Sequence, residues 1–259
     1  MTLLPRYEPC AILQSKGIPC LIWFEDAIGQ YGVPTVVFDL YLLVPDIDTA
    51  AGVLAENGWT KAGPPNEYHI LTQCPFISHR RLDPPCKAET PIAPSDSPDM
   101  KPPGPGTTIL LPAADWNVPI EKLGSDGIVP PLPVLVDALI ESLLDAPHGS
   151  PLQRHVGTQI VYLYGHCSSL DSKEFADCLK FENRQFHYDA RLKRNWSLPF
   201  KAIERSIRDE LRKGQRHELQ EDGSTEFLNM AVPVPPKLPD PVDYSSEEEE
   251  EDEVEEVEK

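Results

Sequence analysis

The residue with the clearest chemical potential is Asp39, which lies inside the apolar run Thr35–Val44. A nearly continuous apolar segment of this kind is typical of a strand that is buried on both faces of a sheet. A carboxylate in such a strand is costly unless a cation or hydrogen-bond donors compensate it. Side chains alternate along a strand, so Asp39 shares a face with Tyr41. We therefore expect Thr35–Val44 to be a central strand with Asp39 facing a cleft.

Two interpretations of Asp39 stay open at this stage. Two carboxylates spaced two residues apart on a strand can hold a divalent metal against a triphosphate, because hard cations require several oxygen ligands. Here the second position is Tyr41, and a neutral phenol is a poor ligand for magnesium. In the other interpretation, Asp39 is a structural carboxylate whose oxygens are hydrogen-bonded to the backbone.

The segments around this strand predict an α/β front half. Pro19–Trp23 has the character of a short buried strand, and Glu25–Tyr31 that of a helix that ends before Pro34. Asp48 is a candidate N-cap for a helix over Thr49–Asn57. Four further side chains could bind a metal, namely His69, Cys74, His79 and Cys86. Their spacing is not one of the usual structural zinc patterns, so we interpret them as scattered loop residues.

The back half predicts helices. Apolar periodicity indicates helices over Leu132–Leu144 and Leu152–Gly165, and helical character extends over Lys173–Leu179. A further helix is expected to begin at Pro199, with Glu204 and Arg208 forming an ion pair on its solvent side. The basic and aromatic side chains between residues 180 and 216 could bind single-stranded nucleic acid, but interspersed acids favour an exposed helix of mixed charge.

The front half resembles the minimal nucleotidyltransferase fold, in particular nucleotidyltransferase-like proteins of fungi that have no assigned role. The resemblance covers about residues 10–60. It is carried by Cys20-Leu-Ile-Trp-Phe-Glu-Asp-Ala, by Tyr31-Gly-Val-Pro-Thr, by Phe38-Asp-Leu-Tyr-Leu-Leu-Val-Pro-Asp46 and by a helix that ends at Gly58-Trp59. Members of this family place a glycine turn after the first strand and an Asp-x-Asp pair on a later strand. They transfer a nucleoside monophosphate from a triphosphate with two metal ions.

The resemblance implies which residues would form the site. The Asp-x-Asp pair falls on Asp39-Leu40-Tyr41, which makes Asp39 the candidate catalytic residue and a metal ligand. The glycine turn falls on Phe24-Glu25 or Glu25-Asp26, and these acids are candidate metal ligands that could compensate for Tyr41. A third carboxylate would come from a later strand, where Asp115 and Asp83 are the candidates. If the protein is active, the cofactor would be Mg²⁺ or Mn²⁺.

Tyr41 in place of the second acid, and Phe24, Glu25 and Asp26 in place of the glycine turn, differ from the family pattern. These differences lead to three hypotheses about function. The first is a nucleotidyltransferase-like protein that is catalytically degenerate and acts by binding a nucleotide or a protein partner. The second is an active, metal-dependent nucleotidyltransferase that uses Asp39 with relocated acids. The third is an interaction protein that works through its proline-rich insertion and acidic tail.

Composition sets the domain plan and limits the partners. Residues 1–128 are expected to form the α/β domain, with a mixed sheet, flanking helices and a proline-rich insertion over residues 84–106. A helical part over residues 129–231 and a disordered acidic tail over residues 232–259 follow. The net charge of −19 argues against broad binding to nucleic acid or an anionic membrane. Six scattered cysteines and no visible signal peptide predict an intracellular protein, cytoplasmic or nuclear.

Overall fold

The computed structural model describes residues 4–85, 106–123, 127–192 and 198–223, with the side chains of residues 198 and 199 left out. Most of the predicted proline-rich insertion and all of the predicted acidic tail lie outside these residues. The described chain is a mixed α/β structure built on one mixed sheet and several helices. None of its described helices is both long and apolar enough to cross a membrane.

The sheet has five strands in the order β1-β2-β5-β4-β3. Their bounds are Leu21–Ile22 (β1), Leu40–Val44 (β2), Thr60–Lys61 (β3), Arg80–Asp83 (β4) and Thr108–Pro112 (β5). The β2 and β5 strands are parallel, and every other neighbouring pair is antiparallel. The β2 strand thus has a hydrogen-bonded neighbour on each side, as expected for a central strand.

The β2 strand is shorter than the predicted Thr35–Val44. Its neighbour β5 begins at Thr108, which pairs with Leu40, and β1 pairs only with Leu42 and Leu43. Residues 33–38 therefore have no partner strand and run without regular structure, with a bend at Asp39. An apolar sequence alone does not make a strand, because a strand also requires a partner for its backbone groups.

Helices cover the sheet and build the back half. Their bounds are Glu8–Ser15 (α1), Phe24–Gly29 (α2), Ile47–Glu56 (α3), Ile70–Gln73 (α4), Leu132–Asp145 (α5), Pro151–His166 (α6), Arg184–Arg191 (α7) and Leu198–Arg212 (α8). Short 3₁₀ turns connect several of them. The predicted helices over Leu132–Leu144 and Leu152–Gly165 are confirmed, whereas Lys173–Cys178 is a 3₁₀ segment. One hydrophobic cluster joins the sheet to α5 and α6.

The α3 helix begins two residues earlier than predicted. Its N-cap is Asp46 and not Asp48, because Asp46 Oδ1 accepts a hydrogen bond from the backbone N–H of Thr49 at 2.7 Å. The side chain of Asp48 instead pairs with Arg80 on the surface. The helix ends before Gly58, whose φ of +91° suits a glycine.

The prediction that Glu204 and Arg208 lie on the solvent side of α8 is wrong. Both side chains are buried. Arg208 donates to Glu141 on α5 at 3.2 Å, and Arg212 donates to the same carboxylate at 2.7 Å. The α5 helix carries acids on the face that it turns to α8, so the charged side of α8 packs inward.

Candidate functional site

An open cleft of about 650 Å³ lies beside the start of β2. Its walls come from α2, the chain entering β2, β4, the segment around α4 and the start of α6. The charged and titratable side chains that line it are Glu25, Asp39, Tyr41, Tyr68, His69, Arg81, Arg154 and His155. The volume is in the range of sites for small molecules.

Asp39 lies between a histidine and an arginine. Its Oδ2 is 3.2 Å from Nε2 of His69 and 3.6 Å from Nη2 of Arg81. The carboxylate therefore points into the cleft, as predicted for Asp39 from the sequence. The backbone carbonyl of Asp39 accepts a hydrogen bond from Arg6 at 3.2 Å, so a backbone contact exists but uses the carbonyl and not the carboxylate.

The position of His69 is fixed by its role as the N-cap of α4. Its Nδ1 accepts a hydrogen bond from the backbone N–H of Leu71 at 3.2 Å. A ring nitrogen that accepts carries no proton, so Nε2 carries the proton of the neutral ring. Nε2 is 3.2 Å from Asp39 Oδ2 and 3.3 Å from the Tyr41 hydroxyl. His69 is thus a hydrogen-bond donor inside the cleft.

Tyr41 is a neutral phenol in this environment. Burial, followed by the nearby charges of Glu25 and Asp39, raises its pKa well above the ordinary value. A phenol that holds its proton supplies a hydroxyl and no charge, so Tyr41 does not replace the second acid of an Asp-x-Asp pair.

Glu25 and His155 lie next to each other in the cleft. Oε1 of Glu25 accepts a hydrogen bond from Gln159 at 2.6 Å and is 3.7 Å from Nε2 of His155. Burial raises the pKa of Glu25. Burial lowers the pKa of His155 to about 4. At neutral pH the His155 ring is therefore uncharged.

Phe24 occupies the turn that leads from β1 into α2. Its φ is +51°, a left-handed conformation that is rare for a bulky residue. The fully buried ring makes edge contacts with Tyr41 at 5.1 Å and with His155 at 4.5 Å between ring centroids. Phe24 therefore packs behind two side chains of the cleft and supports both.

Asp26 does not line the cleft, although it follows Glu25 in the sequence. Its carboxylate accepts two hydrogen bonds from the Arg6 guanidinium at 2.7 Å each, and one from the Tyr7 hydroxyl at 3.1 Å. Both Asp26 and Arg6 are buried. Arg6 also donates to the backbone carbonyl of Phe38 at 3.0 Å. Asp26 thus acts through Arg6 to fix the chain that enters β2.

Asp115 lines a different cleft of about 430 Å³, together with Phe76 and Asp145. Asp83, at the end of β4, accepts a hydrogen bond from Thr107 and does not line the cleft of Asp39. Of the predicted site residues, the structure therefore brings together Asp39 and Glu25 and separates Asp26 and Asp115 from them.

The described side chains do not fit a two-metal site. Within the described ranges, no three histidine, cysteine, aspartate or glutamate side chains form a group that could hold a metal ion. The two cleft acids are also adjacent to donors, since Asp39 lies near His69 and Arg81 and Glu25 accepts from Gln159. The positive charge of Arg81 beside Asp39 also opposes a divalent cation at that carboxylate.

The sequence does not indicate the arginines and histidines of the cleft as parts of one site. Arg81 lies on β4 between Arg80, which pairs with Asp48 on the surface, and the buried Leu82, so the pattern of this short strand does not mark Arg81 as a cleft residue. His69 was placed in an unrelated set of loop residues. Arg154 and His155 lie at the start of α6, and no local pattern connects them to β2.

Comparison with known proteins supplies no further assignment. A scan against family models, a search of curated proteins and a search of solved structures each found no match to this chain.

Proposed function

We propose that this protein is a nucleotidyltransferase-like binding protein whose cleft holds a nucleotide through its phosphates without a catalytic metal pair. The observation that carries the proposal is the pair of arginines in the cleft, Arg81 and Arg154, beside acids that already have donor partners. Guanidinium groups bind phosphate oxygens strongly and with defined geometry.

Arg81 has donor capacity available for such a ligand. A guanidinium carries five N–H donors. Nη1 donates to the carbonyl of Gly63, and Nη2 is 3.6 Å from Asp39, beyond hydrogen-bonding distance. Nε is buried and makes no hydrogen bond within the described part of the chain. A phosphate beside Arg81 would use the donors of Nη2, because Nε is buried and out of reach of a ligand in the cleft.

The order of elements also supports the proposal. A strand, a turn with positive φ, a helix, a linking segment and a central strand follow one another from Leu21 to Val44. The resemblance implies the same order, with Phe24 where the family has glycine. Asp39 then precedes β2 at the edge of the cleft.

The proposal is tested by equilibrium binding of labelled nucleoside triphosphates to the full chain in the presence of EDTA. We expect saturable binding that weakens about tenfold or more in Arg81→Gln, because a charge-assisted contact is lost. Arg80→Gln is the matched control, since Arg80 lies on the same strand and pairs with Asp48 on the surface. Absence of binding, or equal affinity in Arg81→Gln, would contradict the proposal.

The active-enzyme alternative has one observation in its favour, because Glu25 and Asp39 line the same cleft. Incubation with labelled triphosphates, Mg²⁺ or Mn²⁺ and cell lysate tests it. We expect no transfer of label. Label that appears with the wild-type chain and disappears in Asp39→Asn would establish the enzyme instead. The interaction-protein alternative stays a prediction, because its two segments fall largely outside the described residues.

A further inference from the structure

Two aromatic side chains at the cleft have no role in the proposed phosphate contacts. Phe38 is 77% exposed and Tyr68 is 79% exposed, and both line the cleft. They are the two most exposed large hydrophobic side chains in the described part of the chain. Removing such a ring from water is favourable, so their shared position at one cleft requires an explanation.

The backbone of both residues is held by hydrogen bonds. The carbonyl of Phe38 accepts a hydrogen bond from the buried Arg6 at 3.0 Å. The N–H of Tyr68 donates to Asn66 Oδ1 at 3.0 Å, and the carbonyl of Asn66 accepts from Thr72 at 2.8 Å. The fold therefore holds both aromatic residues at the cleft while leaving their rings open to solvent.

We propose that Phe38 and Tyr68, here called the aromatic rim, bind the base of the nucleotide by stacking. This inference rests on the proposed function and adds the residues that select an aromatic ligand over other phosphate compounds. The two arginines and the rim line one cleft, so a ligand that contacts both must carry a planar ring as well as negative charge. Stacking on aromatic faces does not depend on which base is present. The rim thus selects for a base without selecting among bases.

The test compares two probes, a nucleoside triphosphate and inorganic tripolyphosphate, by calorimetric titration of the full chain in EDTA. We expect the wild-type chain to bind the nucleotide more tightly. Phe38→Ala and Tyr68→Ala should each weaken nucleotide binding by about fivefold to a hundredfold, the usual effect of removing a stacking ring. Tripolyphosphate binding should not change. Tyr68→Phe, which keeps the ring, should retain nucleotide affinity.

Phe76→Ala is the matched control, because Phe76 is an exposed phenylalanine that lines the second cleft. It should leave both affinities unchanged. If the wild-type chain binds both probes equally and the rim variants change nothing, the rim inference is wrong while the phosphate site stands. If neither probe binds, the proposed function is wrong and the rim inference is wrong with it.

Discussion

At the scale of single residues, His155 shows how the cleft holds titratable groups in their neutral forms. Its ring packs edge-on against Phe24, and burial lowers its pKa to about 4 from an ordinary 6.5. Burial likewise raises the pKa of Glu25 beside it. This part of the cleft therefore disfavours charge on either side chain.

The lowered pKa of His155 predicts a loss of stability in weak acid. In the unfolded chain the His155 ring takes up a proton near pH 6.5, and in the folded chain only near pH 4. The contribution of the neutral ring to stability is therefore complete above pH 6.5 and is lost as the pH falls from 6.5 to 4. From pH 7.5 to 5.0 the free energy of unfolding should decrease by about 2 kcal/mol from this group.

Chemical denaturation at the two pH values measures this decrease. His155→Gln should remove most of that component of the pH dependence. His148→Gln, at an exposed histidine, is the control and should preserve it. An unchanged pH dependence in His155→Gln would show that the ring titrates normally in the folded chain.

The sequence could identify Asp39 and Glu25 but not their neighbours. Asp39 stands out because an acid interrupts an apolar run, and that contrast is local. Arg81 and His155 reach the same cleft from β4 and α6, so their proximity depends on tertiary packing that no local pattern records. Asp26 also carries no local sign that Arg6 would pair with it.

At the scale of elements, the pair formed by Arg6 and Asp26 connects α2 to the chain that enters β2. The guanidinium binds the carboxylate through two hydrogen bonds and the carbonyls of Phe38 and Asp39 through two more. The Tyr7 hydroxyl adds a further hydrogen bond, and burial followed by Asp26 raises the Tyr7 pKa to about 12. This contact network positions Phe38 of the aromatic rim and the cleft acid Asp39.

Asp26→Ala should destabilise the fold by about 3–5 kcal/mol, because it leaves the buried charge of Arg6 without its partner. Asp48→Ala removes an aspartate from an ion pair of the same 2.7 Å length on the surface, and it should cost less than about 1 kcal/mol. Urea denaturation of the two variants gives the comparison. Similar losses in both would mean that burial of the Arg6 pair has no energetic consequence.

The positive φ of Phe24 predicts an unusual order of stability for the glycine and alanine variants at this position. A non-glycine residue in the left-handed region costs roughly 1–2 kcal/mol, whereas glycine inside an ordinary helix is roughly 0.5–1 kcal/mol worse than alanine. Because the φ of Phe24 is +51°, Phe24→Gly should be at least as stable as Phe24→Ala. Both variants lose the buried ring, so the free energy of unfolding should fall by about 3–5 kcal/mol in each.

The control for this order is Ala27→Gly in the same helix, at a buried position without positive φ. It should lose stability relative to the wild-type chain. Thermal or urea unfolding of the three variants measures the order. A Phe24→Ala variant that is clearly more stable than Phe24→Gly would show that the turn is not strained.

At the scale of the whole molecule, the long helices of the back half could be predicted, whereas β3, β4 and α4 could not. Apolar periodicity indicated α5 and α6 to within about a residue, because long helices repeat the pattern several times. The β3 and β4 strands and α4 have two to four residues each, and β4 reads Arg-Arg-Leu-Asp. Such segments become regular only because neighbouring strands or a capping histidine satisfy their backbone groups.

The acidic C-terminal segment should contribute little to folding. The last fifteen residues carry ten acidic side chains and one lysine, so they repel one another, and the described core cluster lies within residues 7–200. Deleting residues 240–259 should shift the thermal midpoint by less than about 4 °C, the change that about 1 kcal/mol produces in a domain of this size. A loss of many degrees would show that the segment stabilises the fold.

The proposed function requires that the cleft bind a nucleotide through its own arginines and not through a metal pair. The most direct measurement is a calorimetric titration of the wild-type chain with a nucleoside triphosphate, first in EDTA and then in Mg²⁺ or Mn²⁺, with Asp39→Asn in parallel. We predict that affinity in EDTA is retained and that Asp39→Asn binds at least as well, because a negative charge near the phosphates is removed. Binding that requires the metal and is lost in Asp39→Asn would contradict the account.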